Sequence, residues 1–252
     1  MIKYRCVSCN TLYPARSFLS MQEQRIKTNL DTNLIKLIAI IAMTADHIGI
    51  AFFPEYPVFR WIGRIAFPLF CYCLTVGMLY THDIKKYLLR LGAFALISQP
   101  FWILAFNSDD IVGNIFNLNI FFTLIVSLAA TWGFTEKKWW LFIAGIILLN
   151  VVNFDYAMTG LILMMIFYLC RNKPWLGGII YTLTYLPALN GYMEDPLALK
   201  IGGHAIGFEI FALLALPFIY IHTKSNLKIS KWFFYIYYPA HLFAIFLIQL
   251  FI

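Results

Sequence analysis

The chain has 252 residues, of which 62% are hydrophobic and only 12% charged, whereas soluble domains average about 25% charged. With a mean hydropathy of +0.76, this excludes an ordinary soluble domain and points to a polytopic membrane protein in contact with the lipid bilayer. The formal net charge of +7 sits largely in short segments between apolar runs; there Lys and Arg set topology, so no nucleic-acid partner is expected.

Residues 1–30 read as a basic cytoplasmic tail carrying Lys3, Arg5, Arg16, Arg25 and Lys27. The tail lacks the apolar stretch of a cleavable signal peptide, and Met21 offers an alternative start. Cys6 and Cys9 form one C-x-x-C with no second pair, short of the four ligands a structural zinc needs. Cys71, Cys73 and Cys170 lie in apolar runs, where small buried hydrophobes are expected.

Residues 31–252 are expected to form one all-α domain, a polytopic transmembrane helical bundle of about nine helices, within a range of about eight to ten. The apolar runs are Asn33–Phe53, Ile62–Tyr80, Tyr87–Phe106, Asn117–Gly133, Trp139–Val152, Met158–Cys170, Trp175–Leu189, Gly203–Ile221 and Trp232–Phe251. Several are shorter than the ~20 residues of a straight span. Basic residues cluster in the tail and in every second loop: Lys85 and Lys86, Lys137 and Lys138, Arg171 and Lys173, then Lys224, Lys228 and Lys231. That alternation predicts an N-terminus in the cytoplasm and a C-terminus outside.

Ionisable residues inside such runs are costly, so each one marks a candidate site. Asp46 and His47 are adjacent within the first run, and Lys36 precedes His47 by eleven residues. At about 100° and 1.5 Å per residue, Lys36 and His47 fall on one helical stripe, about 16 Å apart along the axis. A basic anchor below and a nucleophile or base above suit a long ligand that is anionic at one end. His47 is the best catalytic candidate, because a neutral imidazole can accept a proton or carry an acyl group. Asp46 points about 100° away from it.

Arg64, in GRIAFPLF, enters at a height where Asp46 can pair with it; the alternatives are an interhelical lock and a carboxylate or phosphate anchor. Pro68 breaks the hydrogen-bond ladder just beyond. His241, in YYPAHLF, is either a second functional histidine or a structural one. Glu209 follows His204 by five residues, which is not a metal spacing, and no metal is expected. Asn119 opens the fourth run and is an additional candidate, although such amides commonly join helices.

The ordered set MTADHIG, GRIAFPLF, YLLRLGAFALISQPF, NIFFT and FFYIYYPAHL resembles the TraX family of bacterial membrane proteins, from about residue 33 to the C-terminus. The resemblance implies a bacterial inner-membrane, multi-pass protein. The family is named for a conjugation protein implicated in pilin N-terminal acetylation, and is grouped with acyltransferase-3 and heparan N-acetyltransferase proteins. In acyltransferase-3 proteins a first-helix Arg is followed after ten residues by an essential His; Lys36 and His47 reproduce that spacing with Lys in place of Arg.

An acyl-CoA-dependent acyltransferase, most simply an acetyltransferase using acetyl-CoA, is the function this implies. Lys36 and Arg90 would hold the CoA phosphates, with His47, Asp46 and Arg64 at the catalytic end. The acyl acceptor is a sugar, lipid, peptide or pilin-like protein on the outer side. Two other classes remain open: a transporter or flippase using the ionisable residues as a pathway, and a non-catalytic assembly factor for a conjugation or secretion machine.

Overall fold

A computed structural model describes residues 3–5, 12–14 and 26–252. The tail cysteines Cys6 and Cys9 lie outside the described residues. A short antiparallel ribbon pairs β1 (Lys3–Arg5) with β2 (Leu12–Pro14). The remainder is dominated by helices: α1 (Thr32–Phe52), α2 (Pro57–Gly63), α3 (Ala66–Tyr80), α4 (Ile84–Phe106), α5 (Ile120–Thr135), α6 (Trp139–Val151), α7 (Ala157–Leu169) and α8 (Pro174–Tyr185). A hairpin of β3 (Leu199–Ile201) and β4 (His204–Ile206) follows, then a 3-10 segment Phe208–Ala215, α9 (Leu216–Tyr220) and α10 (Lys231–Gln249).

Local chemistry starts and breaks these helices. Side chains of Asp31, Asp83, Asn119 and Ser230 accept hydrogen bonds from first-turn amides of α1, α4, α5 and α10, which satisfies donors that the helix leaves open. Pro57 opens α2. The break between α2 and α3 at Arg64 and Ile65 lies one turn before Pro68, which has no N–H to offer the Arg64 carbonyl.

Among the described residues, four helical rods are long and apolar enough to cross a membrane: α1, the broken α2–α3 unit, α4 and α10. The expected spans over α5, α6, α7 and α8 exist as helices but are short; the 13 residues of α6 or α7 rise about 20 Å, less than a hydrocarbon core of about 30 Å. The expected span beginning at Gly203 is corrected. Gly202 and Gly203, at φ +57° and +81°, turn the β3–β4 hairpin there, and the following apolar run coils as 3-10 over Phe208–Ala215 before it becomes α9.

The apolar residues are distributed as a membrane protein requires. The α2–α3 unit is the axis of the bundle, with 72% of its apolar window buried against 28% for α4 and for α10. Outward positions are equally apolar: Ile41, Leu89, Leu96, Trp140 and Val151 are all exposed, a surface that water would not tolerate. The expected tail does not end cleanly at residue 30. Ile26, Thr28 and Asn29 are buried, and the Asn29 amide donates to the Ile219 carbonyl at 2.9 Å.

Helices α1, α4 and α10 run side by side in the same direction. Lys36 lies over Phe234, Thr44 bonds Tyr237 at 2.8 Å, and His47 meets His241, so position rises along α1 and α10 together. Phe94 likewise packs on Tyr235 and Phe101 on Phe243. The N-terminal ends of all three helices therefore lie at one end of the molecule, and that end carries Lys36, Arg90 and Lys231.

Candidate functional site

One stripe of α1 organises the interior. Lys36, Ile40 and Met43 line a cavity of about 320 Å³, and Met43, Asp46, His47 and Ile50 line a second of about 280 Å³. The two share a wall made of Met43, Phe70, Ile120 and Tyr238. The first cavity has a cationic end formed by Lys36, Arg90 and Lys231 and an otherwise largely apolar body. Arg90 Nε is buried there without a hydrogen-bond partner among the described residues, a donor suited to an anionic oxygen. The N-terminal ends of three parallel helices add partial positive charge on the same side.

The second cavity holds the polar groups. Asp46 Oδ2 lies 2.8 Å from Arg60 Nη1, and Asp46 Oδ1 lies 3.2 Å from Arg64 Nη2. Arg64 is packed between the rings of Tyr156 and Phe208, at 5.2 and 4.9 Å, and its Nε donates to the Arg60 carbonyl at 3.4 Å. Asp46 thus joins α1 to α2 and to the break that follows it. Gly63 makes this possible, because a Cβ there would fall on the Asp46 carboxylate.

His47 has a different partner. Its Nδ1 lies 2.7 Å from His241 Nε2, with the rings nearly parallel at 6°. His241 Nδ1 lies 3.0 Å from the Tyr237 carbonyl oxygen. A carbonyl only accepts, so in the neutral pair His241 carries its proton on Nδ1 and accepts at Nε2. His47 must then donate from Nδ1, which leaves the lone pair of its Nε2 unused among the described residues. A histidine held in this tautomer is set up as a base or nucleophile.

The sequence candidates therefore separate into groups. His47, Asp46 and Arg64 line one cavity, and His241 supports His47 from behind. Lys36 and Arg90 line the neighbouring cavity. Asn119 lines neither cavity. Its side chain caps α5 and donates to Gln99 Oε1 at 2.8 Å and to the Ala95 carbonyl at 2.9 Å, fixing α5 to α4. Glu209 is exposed at the start of the 3-10 segment and lines neither cavity. Cys71, Cys73 and Cys170 are buried free thiols. Among the described residues no cluster of three His, Cys, Asp or Glu could hold a metal ion.

Arg60, Lys231, Asp155, Tyr156 and Tyr238 were not singled out from the sequence. Arg60 had a signal, since it precedes Arg64 by four residues and so shares its helical face. Asp155 and Tyr156 had none. They enter the second cavity from the loop before α7, where Tyr156 and Ala157 take positive φ values of 60° and 36°. Tyr238 sits in the aromatic run FFYIYY, and its buried hydroxyl has no hydrogen-bond partner among the described residues. Such an orphan costs about 1–3 kcal/mol.

Fold and site together define an all-α membrane protein with a histidine-bearing polar chamber inside an apolar helical bundle. The chain belongs to the TraX protein family, whose sequence model matches residues 31–249. Over 105 residues it is 39% identical to a Dichelobacter nodosus protein described as "Probable fimbrial assembly protein FimC, serogroup H1", covering 38% of this chain and 43% of that one. It is also 54% identical over 46 residues to an uncharacterized protein of Rickettsia prowazekii (strain Madrid E), covering 18% of each. These matches span less than half the length of either relative. No solved structure matches significantly.

Proposed function

We propose that this protein is a multi-pass inner-membrane acyltransferase that takes an acyl group, most simply acetyl, from cytoplasmic acyl-CoA and passes it to an acceptor on the outer side. The carrying observation is the pair of cavities that meet at one wall, one cationic at its mouth and the other holding His47. Lys36, Arg90 and Lys231 suit the phosphates of CoA. The apolar body of the first cavity suits a pantetheine arm, and the rise of about 16 Å from Lys36 to His47 matches that arm in length. The thioester would then be presented at the shared wall, beside His47.

In this reading His47 Nε2 takes the proton from the acceptor's hydroxyl or amine as that atom attacks the thioester carbon. His241 keeps the required lone pair aimed into the chamber by accepting the Nδ1 proton. Asp46, Arg60 and Arg64 hold the α2–α3 break open around the chamber. The parallel run of α1, α4 and α10 supports a topology with their basic starts in the cytoplasm, in agreement with the loop-charge pattern.

The description of the Dichelobacter relative as a probable fimbrial assembly protein favours a fimbrial or pilus context, in which the acceptor is a pilin-like protein. The same description also suits a non-catalytic assembly factor. Purified protein incubated with labelled acetyl-CoA separates the two readings. Label retained on the protein or passed to water or an acceptor, and lost in His47→Ala, is the expected result. A wild-type protein that neither binds acetyl-CoA nor transfers label would sink the enzymatic reading.

A further inference from the structure

The wall between the two cavities contains four residues, and the side chains of three of them, Met43, Phe70 and Ile120, have no hydrogen-bonding atom apart from a weak thioether. Tyr238 supplies the one hydroxyl in that wall. The residue is only 3% exposed, and its hydroxyl has no hydrogen-bond partner among the described residues. Its ring needs no hydroxyl for packing. It lies edge-on to Phe121 at 4.7 Å and beside His47 and His241 at 6.2 and 5.4 Å, contacts that a phenylalanine would make equally well.

A buried donor without an acceptor, at the junction of two cavities and within one side chain of His47, is placed for an acceptor that arrives with a ligand. We infer that the Tyr238 hydroxyl donates a hydrogen bond to the acyl carbonyl oxygen of the thioester and stabilises the negative charge that develops there. This rests on the acyltransferase reading. The acceptor's oxygen or nitrogen bonds to the carbonyl carbon while His47 Nε2 takes its proton, and the carbonyl π pair moves onto the oxygen facing Tyr238. Collapse restores the C=O bond and breaks the C–S bond. The departing thiolate takes the proton from His47, giving acylated acceptor and free CoA thiol. Tyr238 keeps its proton throughout.

The test uses the full-length protein and Tyr238→Phe. The expected result is a fall in kcat of about 100-fold, in line with removal of one oxyanion donor, with the KM for acetyl-CoA within about twofold and the unfolding temperature unchanged or raised. Equilibrium binding gives a second readout with two uncleavable probes: S-acetonyl-CoA, which keeps a carbonyl, and S-propyl-CoA, which lacks one. Wild type should favour the acetonyl compound, and Tyr238→Phe should bind the two alike. Undiminished kcat in the variant, a retained preference for the acetonyl compound, or a lowered unfolding temperature each overturns the inference while leaving the acyltransferase reading standing. Failure of wild type to bind either probe overturns both.

Discussion

His47 and His241 are 194 positions apart in the chain, yet Nδ1 of the first lies 2.7 Å from Nε2 of the second. The contact joins the first long helix to the last and decides which nitrogen of His47 faces the chamber. In the proposed reaction His47 is the base, and His241 is a positioning residue that acts through it. His47→Ala should lower acyl transfer by about 10³-fold, and His241→Ala by about 100-fold. The pH–rate profile separates the roles. His241→Ala should keep a titrating limb but displace it, whereas His47→Ala should flatten it.

Asp46 answers two guanidinium groups at once. Asp46→Asn would take from both their hydrogen-bonded counter-charge in a largely buried site, leaving only the more distant Asp155 carboxylate, and should destabilise the protein by about 3–5 kcal/mol. Adding Arg60→Met to Asp46→Asn should recover part of that loss, because one uncompensated charge is removed. Thermal unfolding in detergent, run as a double-mutant cycle, measures both effects.

Gly63 marks the closest approach of α2 to Asp46. In Gly63→Ala the new methyl must displace the carboxylate or separate the helices, at a cost of about 1–3 kcal/mol. Asp46 would be driven off its arginines before the bundle unfolds, so transfer should fall further than unfolding temperature. Paired activity and melting measurements on this variant check that order.

At the opposite end, Lys36→Ala and Arg90→Ala should each weaken acyl-CoA binding about tenfold, the loss of one charge-assisted hydrogen bond. kcat at saturating donor should change little, because these contacts are the same in ground and transition states. The penalty should shrink as salt rises. Isothermal titration at two ionic strengths tests all three statements.

Asp31 supplies a pH dependence outside the membrane. Burial pushes its carboxyl up, but hydrogen bonds from the Ser225 amide and hydroxyl, the Leu34 amide and Thr223 outweigh this and hold it below the usual range. A lowered folded-state value means that the carboxylate contributes stability above the unfolded value. That contribution is lost as pH falls below about 4, through the lowered value. Asp31→Ala should cost about 1 kcal/mol near neutral pH, and the gap to wild type should close in acid. Unfolding of both proteins from pH 7 down to about 3 makes the comparison.

Much of the architecture was legible along the chain because membrane helices announce themselves by composition. The starts of α1, α4 and α10 fall within three residues of the apolar runs marked for them. The Gly203 boundary was misread because a Gly-Gly turn and the β strands around it are as apolar as a helix end. In the site, helical periodicity alone put Lys36 and His47 on one stripe and directed Asp46 away from the imidazole. Asn119 shows the limit of that reasoning. Its depth resembled a site, but its amide closes the α4–α5 joint, and a single sequence does not reveal which neighbour an amide meets.

What the sequence determined by itself is short-range and periodic: apolar runs, the polar interruptions in them, the stripe on α1 and the break before Pro68. These follow from backbone geometry, which repeats every few residues. Only the tertiary structure decided what faces what. It set His241 behind His47, added Arg60 to the expected pair of Asp46 and Arg64, and brought Tyr238 to the wall between two cavities. Those relations depend on how helices pack, and packing is a property of surfaces meeting in three dimensions that no local pattern encodes.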